Sequence, residues 1–410
     1  MLLAHLPLAF DVGARFALAL MASIVLAETG QRYLRLPRVT GYMLGGIVFG
    51  PTVVGLIRRD DLAPYEAIVD VIAGLLVFEL GSRVDLGWLR ENRGLLATSL
   101  VEALATFGVV AGVLFGLGVG AQTALLVGAI GMSTSPAIVV RIVNELQSRG
   151  QVTERAMLLS ALDAAFSVVL VHALVSWFAL DRHDVELAAL LHPLYVLGGS
   201  FLLGLATATA VAIIFRTFSP RSSDAFVLAL SVLLLSAILG HQWQLSAPLA
   251  LLMGGILLRR RSERIIVFPP HFGTAGSALV LVLFVLCGVD LDLSLLFAGG
   301  LTALAVIAAR AAVKLVVPVM LARAGGLSWR KGALVGLALM PMSGFALMLG
   351  RTPSLAAPEV STEVSTLVLA SVIVFELVGP LLGAFAIRCA REDMPESGEH
   401  SGHARAVPGL

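Results

Sequence analysis

Gly128-Ala-Ile-Gly-Met-Ser-Thr-Ser-Pro136 and Gly336-Leu-Ala-Leu-Met-Pro-Met-Ser-Gly344 decide how this chain folds. Each lies inside a long apolar segment and puts Pro, Gly and Ser near its middle. Proline removes a backbone donor and its ring clashes with the preceding turn. Both segments are therefore expected to break or kink, the first at Pro136 and the second around Pro341 and Gly344. Working outward, thirteen stretches approach the about 20 mostly apolar residues that a membrane span requires. They run roughly over 8–30, 39–57, 64–81, 94–117, 121–144, 156–179, 188–215, 224–240, 245–258, 272–289, 296–322, 332–350 and 361–387, the ninth being short. The interrupted segments are the fifth and the twelfth. An odd offset of seven makes equivalent helices cross in opposite directions, as in an inverted repeat. A matched pair of interrupted helices then points to a binding site. Transmembrane helices also carry Pro and Gly for structural reasons alone. The matched position within both repeats favours the site.

Composition agrees. Of 410 residues, 58% are hydrophobic and 13% charged, and the mean hydropathy is +0.95. A soluble domain has about half its residues apolar and about a quarter charged. A cytosolic enzyme, a disordered chain and a secreted disulfide scaffold are excluded, which leaves an all-α polytopic membrane protein. Four Tyr and four Trp are too few, and the apolar runs too long, for an outer-membrane barrel. A net charge of +1 gives no reason to expect a nucleic-acid partner. Cys287 and Cys389 are far apart in sequence and imply neither a disulfide nor a metal site. No cleavable signal is expected, because the first apolar segment leads straight into the next. Motifs for an esterase elbow, a zinc protease or a phosphate loop are missing, so neither an enzyme nor a cofactor is expected.

Orientation follows from the basic residues. With the N-terminus outside, 21 of the 28 Lys and Arg fall in cytoplasmic loops or the tail. Arg58, Arg59, Arg182 and Arg351 fall outside, and Arg15, Arg310 and Lys314 fall within spans. The bias alternates loop by loop and puts the C-terminus in the cytoplasm of a plasma (inner) membrane protein.

Charges inside the membrane need a reason, since each costs about 2.5–3.5 kcal/mol even on the lenient insertion scale. Asp163 lies in the sixth span with Ser160 three residues before it and Ser167 four after, so the three share a helical face. A carboxylate near the midplane can hold either a proton or a desolvated monovalent cation. The alternative is a structural Asp bonded to a neighbouring helix. Arg310 and Lys314 stand four residues apart on one face of the eleventh span. Asp163 is the expected partner for one of them. Lys314 is the exchangeable group, because Arg stays charged. Arg310 is expected to bond to carbonyls freed at the helix breaks or to Glu376. Ser133, Thr134, Ser135, Met342 and Ser343 are expected to line the crossing. Glu102 in the fourth span and Glu376 in the thirteenth read as helix-to-helix contacts. Glu79 and Arg83 read as an interfacial pair, and His172 as a hydrogen-bonded residue off the site face. Asp290 and Asp292 read as solvated at a span end. With no second acidic residue beside Asp163, one proton should move against one cation, without net charge transfer.

Six motifs resemble one family. Gly41-Tyr-Met-Leu-Gly-Gly-Ile-Val-Phe-Gly-Pro51 is similar to a segment of the monovalent cation:proton antiporter superfamily, in the branch of bacterial sodium/proton and potassium-efflux antiporters. Leu76-Val-Phe-Glu-Leu-Gly81, Phe284-Val-Leu-Cys-Gly-Val-Asp-Leu-Asp-Leu293, Arg310-x-x-x-Lys314, Gly336-Leu-Ala-Leu-Met-Pro341 and Phe375-Glu-Leu-Val-Gly-Pro380 resemble further family motifs in the same order. The resemblance spans about residues 8–388. It implies about 13 transmembrane helices, usually in a homodimer, with two crossed broken helices beside an essential Asp. Scaffold helices 1–3 would occupy 1–92, core helices 4–6 would occupy 93–180, and linker helix 7 would occupy 181–218. Scaffold helices 8–10 would take 219–292, core helices 11–13 would take 293–390, and 391–410 would be a disordered tail. The core would move like an elevator and exchange protons for Na⁺ or K⁺, with no cofactor and no resident metal. Departures exist. The family usually has two polar residues at the essential site, where Leu162 and Ala164 flank Asp163, and Gly81-Ser-Arg83 replaces the usual Gly-Leu-Glu. No regulatory nucleotide-binding domain is expected after the membrane part. The lost second polar residue leaves open a protein of this fold that carries another solute or acts as a sensor.

Overall fold

Each of the thirteen apolar segments contains a helix. The computed structural model describes residues 12–393 except 35, 52, 58–65, 85–86, 88–92, 181–186, 220–221, 262–274, 292–298, 343–345, 347–348 and 351–357. Its helices are α1 (Val12–Leu34), α2 (Arg38–Phe49), α3 (Glu66–Arg83), α4 (Arg93–Gly116), α5 (Ala121–Gly131), α6 (Pro136–Glu145) and α7 (Gln151–Leu180). They continue with α8 (Leu187–Thr217), α9 (Ser223–Gln242), α10 (Ala247–Arg261), α11 (Ala275–Asp290), α12 (Gly300–Met320), α13 (Trp329–Ala338) and α14 (Pro358–Ala390). Helices α5 and α6 are two halves of the fifth segment. No strand occurs among the described residues. Among the described residues, eight helical stretches are long and apolar enough to span a bilayer by themselves.

The second segment is shorter than its apolar run. Helix α2 stops at Phe49, and the chain folds back on itself, with Val54 and Ile57 donating to the carbonyls of Val48 and Phe49. Gly50-Pro51 explains the stop, because Pro51 has no N–H to continue the helix.

The helices pack in two sets. In one, α3 lies against α10, α2 against α1 and α11, and α8 against α9 and α10. In the other, α4 lies against α5 and α12, α12 against α13 and α14, and α14 against α5 and α13. Helix α7 packs on α5, α6 and α13 and leads into α8.

Glycine seams display the inverted repeat. A Cβ on Gly46 of α2 would strike the Val285 carbonyl of α11, and one on Gly288 would strike the Met43 carbonyl. On the other pair, a Cβ on Gly255 of α10 would strike the Phe78 carbonyl of α3, and one on Gly81 would strike the Leu252 carbonyl. Each contact joins a glycine to a carbonyl three residues before the partner glycine. Only glycine admits backbones this close, which is how helices gain packing in lipid without a hydrophobic drive between them. The third and ninth crossings thus meet as the tenth and second do.

Burial separates rim from centre. In the most apolar 18 residues of Ala121–Glu145, 89% of the residues are buried, against 17% in those of α1. Exposed Leu, Val and Ile side chains on α1, α4, α8 and α9 face the bilayer, where an apolar surface is at no disadvantage.

Candidate functional site at the crossed helix breaks

The first break is made locally. Helix α5 ends at Gly131, residues 132–135 leave the helix, and Ser135 caps α6 by accepting the Ile138 N–H at 3.3 Å. Pro136 sits in the first turn of α6, where a missing N–H costs nothing. The second break follows α13, whose C-cap is Leu339, and Met340–Met342 are non-helical. Beyond it, Ala346, Leu349 and Gly350 are helical again. Ser343 and Gly344 lie outside the described residues.

The two breaks touch. The Ser135 N–H donates to the Pro341 carbonyl at 2.8 Å, and the Thr134 hydroxyl lies 3.2 Å from the Leu339 carbonyl. Ser133 turns its hydroxyl back to the Ile130 carbonyl at 2.7 Å, and Met342 is buried.

A helix that stops inside the bundle leaves carbonyls unpaired and a partial negative charge at its end. Helix α12 supplies the cations. Arg310 is fully buried and donates through Nε to Gly131 O at 2.9 Å, through Nη1 to Met340 O at 2.9 Å and through Nη2 to Ser133 O at 2.8 Å. One guanidinium thus ties both breaks together, as its flat fork of donors allows. It also lies 4.4 Å from the centre of the Phe375 ring on α14. The sequence left Arg310 with two expected partners. It takes the helix-break carbonyls, and Glu376 lies buried one residue after Phe375.

Lys314, one turn along, is the partner of Asp163. Its Nζ lies 2.7 Å from Asp163 Oδ2, 2.9 Å from Met132 O and 3.1 Å from Thr134 Oγ1. Thr134 Oγ1 also lies 2.9 Å from Asp163 Oδ2. Asp163 Oδ2 is thereby fully engaged, while Oδ1 is buried and has no hydrogen-bond partner among the described residues.

A second carboxylate corrects the sequence reading. Both oxygens of Glu102 lie 3.1 Å from Lys314 Nζ, and Glu102 is as fully buried as Asp163. Thr106, one turn on, donates to Glu102 Oε1 at 2.9 Å. The expectation of no second acid at the site considered only the neighbours of Asp163 along its own helix, whereas α4 brings Glu102 in from another. The polar pair Glu102 and Thr106, four apart on α4, was the available signal. Two carboxylates and two cations balance within the cluster.

Other expected residues fall elsewhere. Ser160 is buried and donates to Met157 O at 2.8 Å, with no bond to Asp163 among the described residues. Ser167 reaches the broken helix instead, donating to Ala129 O at 2.8 Å. The His172 ring bonds to Val168 O on its own helix at 2.9 Å. Glu79 and Arg83 pair at 2.6 Å, and Asn144 of α6 bonds to both. The side chains of Asp290 and Asp292 lie outside the described residues. Cys287 and Cys389 form no disulfide among the described residues. No group of three or more His, Cys, Asp or Glu placed to hold a metal ion occurs among the described residues.

An inverted-repeat bundle with two interrupted helices meeting at buried charges is the architecture of secondary membrane transporters. The chain belongs to the sodium/hydrogen exchanger family, whose transmembrane profile matches residues 17–387. It is 26% identical over 381 residues to the Na⁺/H⁺-K⁺ antiporter GerN of Bacillus cereus, covering 90% of this chain and 95% of that protein. It is 24% identical over 352 residues to the iron transporter MagA of Paramagnetospirillum magneticum, covering 85% of this chain and 79% of that one. Two structures of the sodium proton antiporter MjNhaP1 from Methanocaldococcus jannaschii share the fold. One has a TM-score of 0.72 at 18% identity, covering 93% of this chain and 98% of that one. The other has a TM-score of 0.66 at 17% identity, covering 91% and 96%.

Proposed function

We propose that this protein exchanges protons for Na⁺ or K⁺ across the plasma (inner) membrane, with Asp163 as the carrier that holds either a proton or the cation. The observation that carries the reading is the split environment of the carboxylate. Oδ2 is held by Lys314 and Thr134, while Oδ1 is buried with no hydrogen-bond partner among the described residues. An unpartnered carboxylate oxygen in a dry interior is unfavourable, and a proton or a desolvated cation relieves it. One ligand excludes the other, so the two fluxes are coupled. Carbonyls of the two breaks, which already accept bonds from Arg310, Lys314, Thr134 and Ser135, have second lone pairs to offer the ion. The relative named a Na⁺/H⁺-K⁺ antiporter supports this reading.

The moving body is α4–α7 with α12–α14, residues 93–180 and 293–390, carried like an elevator against a scaffold of 1–92 and 219–292. Residues 181–218 link the two, and the scaffold forms a homodimer. The N-terminus faces outside and the C-terminus, with residues 391–410, the cytoplasm. This follows the loop distribution of Lys and Arg.

The relative named an iron transporter favours a second reading, transport of a divalent metal. The cluster argues for a monovalent ion. A divalent cation at Oδ1 would lie close to two built-in cations, with one uncommitted carboxylate oxygen to hold it.

Proteoliposomes with an internal pH-sensitive dye test the reading, with Na⁺, K⁺, Li⁺ and Fe²⁺ added separately. Na⁺ or K⁺ should drive proton movement, and Asp163→Asn should abolish it while folding normally. A silent parent protein, or robust exchange by the Asn variant, would sink the proposal. Proton flux driven by Fe²⁺ alone would replace it with the metal reading.

A further inference from the structure

A lysine ammonium has three protons. Five oxygens lie within 3.1 Å of Lys314 Nζ: Asp163 Oδ2, Met132 O, Thr134 Oγ1 and both carboxylate oxygens of Glu102. Acceptors therefore exceed donors. If Asp163 is withdrawn, two neutral oxygens and a whole carboxylate remain, and the ammonium need not move to reach them. Glu102 is held in readiness, since Thr106 donates to Oε1 and α4 packs along α12. None of the three ionised side chains is accessible to water, so each must find its counter-charge inside the cluster.

We infer that Glu102 is a positioning residue that takes up the Lys314 ammonium when a cation occupies Asp163. A cation at Oδ1 takes up the carboxylate's charge and so loosens the Lys314 pair at Oδ2, and a lysine left without a counter-charge would make that exchange very unfavourable. Glu102 provides the counter-charge 3.1 Å away, so cation binding becomes a hand-over between two carboxylates. Glu102 acts on the affinity of the site without touching the transported ion. The inference rests on Asp163 being the carrier.

The test is cation affinity, read as the salt-dependent rise in melting temperature of purified protein. NaCl, KCl and LiCl are titrated separately against choline chloride at constant ionic strength. Glu102→Gln should weaken the midpoint about tenfold, the low end of what removing an outer partner of an ion ligand costs. In proteoliposomes KM should rise by the same factor with the maximal rate kept. In a Lys314→Gln background, Glu102→Gln should leave the midpoint unchanged, because there is no ammonium to hand over. Glu102→Asp keeps the charge and should restore part of the affinity, and it serves if the Gln variant fails to fold.

A weakened midpoint in both backgrounds would overturn the inference and make Glu102 an ion ligand. A lower melting temperature without salt and an unmoved midpoint would reduce Glu102 to a structural contact. A parent protein that neither binds nor exchanges any of the three cations would sink the carrier reading, and this inference with it. A parent that exchanges and is matched by Glu102→Gln would sink only this inference.

Discussion

Replacing Arg310 by Met tests whether one side chain holds the two helix breaks together. The change keeps an unbranched side chain but removes the three bonds to Gly131 O, Ser133 O and Met340 O and the contact with the Phe375 ring. Hydrogen bonds between helices in a membrane average about 0.6 kcal/mol and reach about 1.7, so three are worth about 2–5 kcal/mol. The desolvated cation over the ring adds up to about 2 kcal/mol. The loss would be a large part of the about 5–15 kcal/mol that holds a typical protein folded. It would fall where, among the described residues, no other charged group bridges the two half-helices, since Lys314 reaches the first break alone, at Met132 and Thr134. Arg310→Lys keeps the charge but not the fork, and should lose less than Arg310→Met. The assay is unfolding by sodium dodecyl sulfate in mixed micelles, followed by circular dichroism. A Met variant within about 1 kcal/mol of the parent would refute the reasoning, because even the mean value for three bonds exceeds that.

Other consequences are simpler to check. Asp163→Asn is nearly isosteric and should melt close to the parent while losing all cation-driven proton flux, and residual flux would exclude Asp163 as the carrier. Gly46→Val drives a side chain into the Val285 carbonyl and should cost about 1–3 kcal/mol or more, as overpacking does. Gly108→Ala meets nothing within 4 Å and should be neutral or stabilise α4 by about 0.5–1 kcal/mol. Equal stability of these two variants would contradict the glycine seam. Ser135→Ala removes the cap of α6 and Ser328→Ala that of α13, and each should cost about 1 kcal/mol.

Much of the fold is legible along the chain because its signals are local. Apolar length marks the crossings, and Pro136 and Pro341 mark where helices stop. An ionised side chain in lipid advertises itself by its cost, which is why Asp163, Arg310 and Lys314 stand out without any coordinates. The seven-span offset between the two broken segments carries the inverted repeat in the order of the letters alone.

Other features depend on which helix faces which. Glu102 reads in sequence as a lone acid in an apolar helix, and only the packing of α4 on α12 makes it a second carboxylate on Lys314. Ser160 shares a helical turn with Asp163, yet its hydroxyl bonds to its own backbone. Thr134, 29 residues away, is the hydroxyl that meets the carboxylate. Arg310 had two plausible partners by sequence, and the meeting of the breaks beside it decided for carbonyls. The physical reason is the solvent. Lipid gives apolar helices no hydrophobic drive to choose their neighbours, so close glycine contacts and buried polar bonds make the choice, and these form between residues far apart in the chain.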